Sequence, residues 1–110
     1  MKSAVAETLA PSARRALQKL GADIAAARKK RSLTVSMMAD RMGVAATTYL
    51  RIEKGDPSVS IGGYAAALSA LGMPGLFGDL IDPRKDSRGL LFDVEQLPKR
   101  VRVRKQAKPL

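Results

Sequence analysis

Histidine and cysteine are both absent from this chain, so the commonest general base and metal ligand and all thiolate chemistry are missing together. What remains is charge. Twenty lysines and arginines face ten carboxylates, a formal net charge of +10 over 110 residues. Such an excess favours a polyanionic partner, nucleic acid ahead of an anionic membrane. Asp79, Asp82 and Asp86 recur at helical spacing, where a shared cation is conceivable. Arg84, Lys85 and Arg88 are interleaved with them, however, and make a solvated linker the better reading. No nucleophile–base pair can be assembled, so an enzyme is not expected, and no cofactor or metal is implied.

Cations alone give attraction without register, so rigid elements must aim them. The stretch Leu33 to Gly55 reads as two short helices joined by a tight turn. Thr34 is a good N-cap, with Leu33 and Met38 at the two positions of a hydrophobic staple. Met38, Ala39 and Met42 follow on one face, and Gly43 ends the helix where a left-handed residue is cheapest. Val44 can tuck between the helices. Tyr49 and Ile52 give the second helix its buried stripe, and Gly55 closes it. Ala46, Thr47, Leu50, Arg51 and Lys54 point elsewhere. Thr34 and Ser36 lie at the first helix's N-terminus, where free N–H groups and the helix dipole favour anions. Thr34 can cap and also hold a phosphate.

This stretch resembles the helix-turn-helix of the phage-repressor/Cro family, often called the XRE family. That family has apolar residues at the positions of Met38, Met42, Val44, Tyr49 and Ile52, a small residue at Ala39 and glycine at Gly43. The resemblance covers about Leu20 to Gly72. It implies an all-α fold of five helices, and an ion pair between Arg28 and Glu53 that orders the core, with Arg28 also near a phosphate. It implies that the second helix, about Ala46 to Lys54, reads DNA with Ala46, Thr47 and Arg51 facing base edges. Arg51 suits a bidentate contact to guanine, and Thr47 can bond a base edge or touch a thymine methyl, which is all that Ala46 can do. Thr48, Lys54 and Ser58 join Thr34 and Ser36 as phosphate contacts. Val35 stands where the family often has glutamine and Ala45 where it has a serine cap; these departures bear on affinity, not fold.

Around this centre, residues 1–10 read as a mobile arm without period. Pro11 opens a helix to about Lys30 with Leu17, Leu20, Ile24 and Ala27 inward. Arg14, Arg15, Lys19 and Lys29 lie outside that stripe, as a solvated face or as DNA contacts. Ser60 caps a fourth helix whose buried face is Tyr64, Ala65, Leu68 and Leu71. Gly62 and Gly63 within it predict a close approach or a frayed turn. Pro74 opens a fifth helix carrying Leu76, Phe77, Leu80 and Ile81. Val59 to Gly78 is free of charge and long enough to span a bilayer, but its glycines and helical stripe argue against a membrane.

Residues 11–81 thus form the helix-turn-helix domain and 82–110 a basic extension. Leu90, Phe92 and Val94 alternate with Leu91, Asp93 and Glu95, which is strand period, and KRVRVRK follows Pro98. A lone strand is unstable, so this tail pairs with a second copy, pairs with a partner or stays without fixed structure. One domain reads few base pairs. A homodimer on a palindromic double-stranded DNA operator is therefore expected, joined through Leu76, Phe77 and Leu80, with half-sites about 34 Å apart. The extension also resembles that of small HipB-type antitoxins, which implies a repressor of its own operon partnered with a HipA-like kinase toxin. The other readings are a free-standing phage-type repressor and a non-specific nucleic-acid binder. The few aromatics supply the last poorly. A cytoplasmic setting fits the absence of cysteine.

Overall fold

The computed structural model describes residues 4–92 and 94–103. Six α-helices are present among them: α1 (Ala4–Thr8), α2 (Pro11–Lys30), α3 (Val35–Met42), α4 (Ala46–Glu53), α5 (Ile61–Ala70) and α6 (Gly75–Gly78). The chain divides into two compact units, one up to Gly78 and one from Asp79. The all-α expectation stands, with one helix more than five.

The extra helix is α1, in the segment read as an arm. Its sequence Ala-Val-Ala-Glu-Thr is rich in a strong helix former, Ala6 is buried, and Arg14 donates to the Ala6 carbonyl. A five-residue segment shows too few turns for its period to be seen. Residues 1–3 lie outside the described residues.

Helix ends fall where local chemistry places them. Pro11 opens α2 at a position whose N–H needs no partner. Thr34 Oγ1 accepts from Met37 N at 3.0 Å and starts α3, and Gly43 ends it at φ 68°. Ser60 Oγ accepts from Gly63 N at 3.2 Å and starts α5. Ser32, at φ 54°, makes the turn between α2 and α3 at a steric cost a glycine would avoid.

Helix α4 packs against α2, α3 and α5, so it is held from three sides. Ile24, Met38, Ala39, Tyr49, Ile52, Tyr64, Ala67, Leu68 and Leu71 close the core. Leu17, Leu20, Leu33, Val44 and Phe77 pack against its margin. Ala67, unassigned from the sequence, is fully buried, whereas Ala65 is only half-buried. Helix α5 touches both α3 and α4, which widens its buried arc beyond one stripe. A Cβ on Gly63 would come within 2.8 Å of Val59 Cγ1, so that glycine marks a close approach; Gly62 faces open space apart from Ser60.

The tightest crossing is one the sequence did not disclose. A Cβ on Gly21 of α2 would stand 2.5 Å from the carbonyl oxygens of Ile52 and Glu53. Gly55, at φ 70°, would place its own Cβ 2.4 Å from the Leu17 carbonyl oxygen. Two glycines therefore let α2 run against the C-terminal end of α4.

The end of the chain departs from expectation. The fifth predicted helix is four residues long, ending at Gly78, so Leu80 and Ile81 are not helical. No strand is present among the described residues. Gly89–Leu91 and Val94–Gln96 are instead single 3₁₀ turns, as is Pro83–Lys85. Among the described residues the alternation of Leu90, Phe92 and Val94 meets no second strand to bond. Local carbonyls take its donors, with Leu90 N on Asp86 O at 2.9 Å and Phe92 N on Gly89 O at 3.0 Å. From Arg104 onward the basic run lies outside the described residues.

Candidate nucleic-acid interface

Tyr49 and Ile52, both 0 % exposed, anchor α4 from beneath. One helical turn carries the opposite side chains outward: Ala46, Thr47, Leu50, Arg51 and Lys54 are all exposed. At spacings of one, three and four residues they form one face. Leu50 is the member of this face that sequence reasoning did not count among the DNA contacts. Its place four residues after Ala46 and three after Thr47 was the available signal, and it brings a branched apolar group to an exposed polar helix.

The orientation of α4 is fixed at its far end. Arg28 Nε donates to Glu53 Oε2 at 2.7 Å, Nη2 donates to Oε1 at 3.3 Å, and Nη1 donates to the Leu33 carbonyl at 2.9 Å. Tyr49 Oη also donates to Glu53 Oε2. One guanidinium thus ties the end of α2 to the end of α4 and to the entry of α3. With its side chain 11 % exposed and all three nitrogens engaged inward, Arg28 is a structural cation with little to offer a phosphate. Burial pushes the Glu53 carboxyl up, but hydrogen bonds from Arg28 and Tyr49 outweigh it and hold it below its ordinary value. The bond to Glu53 raises Arg28 further, and burial, aided by Glu53, raises the Tyr49 phenol.

A second polar cluster lies just past α4. Arg51 Nε donates to Asp56 Oδ2 at 2.9 Å and Arg51 Nη2 donates to Ser58 Oγ at 2.8 Å. Ser58 donates both its N–H, at 2.8 Å, and its hydroxyl, at 2.6 Å, to Asp56 Oδ1. Hydrogen bonds from Ser58 and Arg51 hold the Asp56 carboxyl down at about 2. Ser58, expected at a phosphate, has therefore committed both donors to Asp56. Tyr64 Oη donates to the Asp56 carbonyl at 2.7 Å, and burial pushes that phenol up to about 12.

The remaining positions are dispersed around α3 and α4. Thr34 and Ser36 are exposed at the start of α3, where Thr34 keeps its hydroxyl proton while accepting from Met37. Thr48 is half-buried on the first turn of α4, which no side chain caps because Ala45 precedes it. Uncapped N–H groups at a helix start are donors that suit an anion. Leu76 is 52 % exposed on α6, and Phe77 packs on the core margin. Leu80 belongs to the unit that begins at Asp79.

Asp82 accepts from the Arg84 backbone and guanidinium, and Asp86 Oδ1 accepts from Gly89 N. Among the described residues no three acidic side chains converge as a metal site. No helix among them is long and apolar enough to cross a membrane.

A short helix held from three sides, with Thr47, Arg51 and Lys54 exposed on its outer face, fits the class of helix-turn-helix DNA-binding regulators. A family model described as a helix-turn-helix domain matches residues 19–82, more than half of the chain, and the chain belongs to that family. No curated protein and no solved structure matches it.

Proposed function

We propose that this protein is a sequence-specific transcriptional repressor of the XRE/Cro type, acting in the cytoplasm as a homodimer on a palindromic operator. The observation that carries this reading is the outward face of α4, with Thr47 and Arg51 standing over the anchors Tyr49 and Ile52. In the major groove, Arg51 bonds a guanine, Thr47 a neighbouring base edge, and Ala46 and Leu50 meet thymine methyls. Thr34, Ser36, Thr48 and Lys54 hold flanking phosphates, fixing register without reading sequence. Its action is binding, not catalysis.

Dimerisation falls to Leu76, Phe77 and Leu80, with help from the extension. The apolar side chains that the extension exposes, Leu91 and Phe92 among them, also support a partner protein, and so the role of antitoxin to a kinase toxin. Co-purification with a kinase-sized partner favours that role; a clean homodimer favours a free-standing repressor.

The test of the whole reading is a randomised duplex pool bound by the protein and by its Arg51→Ala variant. The expected result is a preferred sequence whose discrimination at one base pair falls about tenfold or more in the variant. A protein with no preferred duplex, binding all of them with one steep salt dependence, would instead be a non-specific binder.

A further inference from the structure

Asp56 follows Gly55 in the turn after α4, and the Arg51 side chain bends back to meet it. The turn itself is fastened from both sides. Asp56 N donates to the Arg51 carbonyl at 3.0 Å, and the buried Tyr64 donates to the Asp56 carbonyl. The Asp56 carboxylate is therefore a fixed point, not a drifting counter-ion.

That fixed point selects which edge of Arg51 is free. A guanidinium carries five N–H donors. Nε is on Asp56 and one Nη2 hydrogen is on Ser58. The donors left over are the Nη1 pair and the second Nη2 hydrogen, and they lie at the end of the fork. Two parallel N–H groups at that end match the O6 and N7 acceptors of guanine. A paired guanidinium is also a weaker attractant for phosphate than a bare one. The same contact thus aids one base and disfavours indiscriminate binding.

We propose that Asp56, assisted by Ser58, is a positioning residue that sets base discrimination by holding Arg51 end-on toward a single guanine. The proposal rests on the reading of Arg51 as a base contact. Asp56 itself touches no DNA, and its negative charge lowers affinity for phosphates; what it contributes is selectivity.

The test uses the full chain and four variants: Arg51→Ala, Asp56→Asn, Ser58→Ala and the double variant R51A/D56N. The asparagine oxygen still accepts from Ser58 N, so the turn is retained, while its amide nitrogen cannot accept from Arg51. Thermal unfolding checks that each variant folds. Binding is measured on a randomised duplex pool, then on the preferred and a scrambled duplex at two salt concentrations. Asp56→Asn is expected to lower discrimination at the base pair read by Arg51 by about tenfold, with affinity for the scrambled duplex unchanged or raised. Ser58→Ala should show a smaller loss at the same base pair. R51A/D56N should discriminate no worse than R51A. If R51A loses its preference and Asp56→Asn and Ser58→Ala keep theirs, the positioning role is wrong and the reading of Arg51 stands. If R51A keeps its preference, both fall. A uniform loss on every duplex in Asp56→Asn would make Asp56 a support of the turn alone, and that also overturns the proposal.

Discussion

Between Ile24 and Leu71, nine side chains close over one another around α4; from Asp79 to Val103 no described side chain is buried. Yet the second region is not poor in apolar residues. Ile81, Leu90, Leu91, Phe92, Val94, Leu97, Val101 and Val103 are all exposed. The difference lies in periodicity and length. In the first region apolar residues recur every three or four positions along helices of eight residues or more, so stripes form and meet. In the second, Leu90, Leu91 and Val94 fall on turns of three residues, too short to present a stripe, and the other five lie outside any helix. Hydrophobic content does not make a core; elements that can align it do.

The comparison is broken most directly at the pair joining α2 to α4. Replacing Glu53 with alanine leaves Arg28 with one carbonyl partner and Tyr49 Oη without its acceptor. Removing one partner of a desolvated pair is expected to cost about 3 kcal/mol, read from the shift in urea midpoint at constant slope. The double variant R28M/E53L should recover most of that loss, because no uncompensated charge remains. In the extension, Arg84→Ala breaks an ion pair of equal length to that of many structural pairs, 3.0 Å, but with the arginine side chain 86 % exposed. Its effect on unfolding should be undetectable.

Gly21→Ala comes next. The new methyl would stand 2.5 Å from two backbone oxygens at the end of α4, and neither can swing aside. Alanine gains about 0.5–1 kcal/mol in helix propensity, but overpacking against backbone should outweigh this and leave a net cost of about 2 kcal/mol. Gly75→Ala, with nothing within 4 Å, is the control and should be neutral or slightly stabilising. Equal melting of both variants would mean that α2 and α4 are not in close contact.

Acid separates the two regions a third way. Asp56 is held at about 2 and Glu53 below its ordinary value, so each is more acidic folded than unfolded. Such groups stabilise the fold fully above their unfolded values near pH 4, and the contribution is lost as pH falls through the folded values. The helical unit should therefore lose stability between about pH 4 and pH 2. Because Arg51 is 47 % exposed, solvent screening reduces Asp56's share to about 1 kcal/mol. Asp56→Asn should flatten that part of the acid slope. Asp82 is also lowered, by its hydrogen bonds from Arg84, but that arginine is 86 % exposed and the pair is screened, so Asp82→Asn should leave the slope unchanged.

Those contrasts follow what was legible in the residues. Local signals served well: Thr34, Gly43 and Ser60 act within three or four positions, and the ends of α3 and the start of α5 fall on them. Period served where helices were long enough, and the buried positions Tyr49 and Ile52 follow from it. Tertiary coincidences were not legible. Nothing near Gly21 in the sequence announces the carbonyls of α4, and nothing near Arg51 says that Asp56 rather than DNA holds its Nε. The strand reading of Leu90 to Val94 used a period of two where, among the described residues, no partner strand makes it stable. Leu50 was legible as lying off the buried stripe with Ala46 and Thr47, but its apolar side chain left it out of the set expected to face DNA.

The smallest expected effect on stability is the most informative about the extension. Ending the chain after Asp82 removes the exposed apolar residues from Leu90 onward and the basic run that follows, but no side chain of the core around α4. Unfolding of the helical unit should move by less than about 0.5 kcal/mol, as for surface changes generally. Association should respond differently. If the extension contributes to the dimer, sedimentation will show a weaker dimer and operator affinity will fall with it, since two half-sites joined on one particle bind far more tightly than either alone. A truncated chain that stays dimeric and binds as tightly would remove the extension beyond Asp82 from the DNA-binding unit and leave Leu76, Phe77 and Leu80 as the proposed contact. A truncated chain that unfolds more readily would mean that the division at Gly78 is not a division in stability, and the contrast drawn between the two regions would be lost.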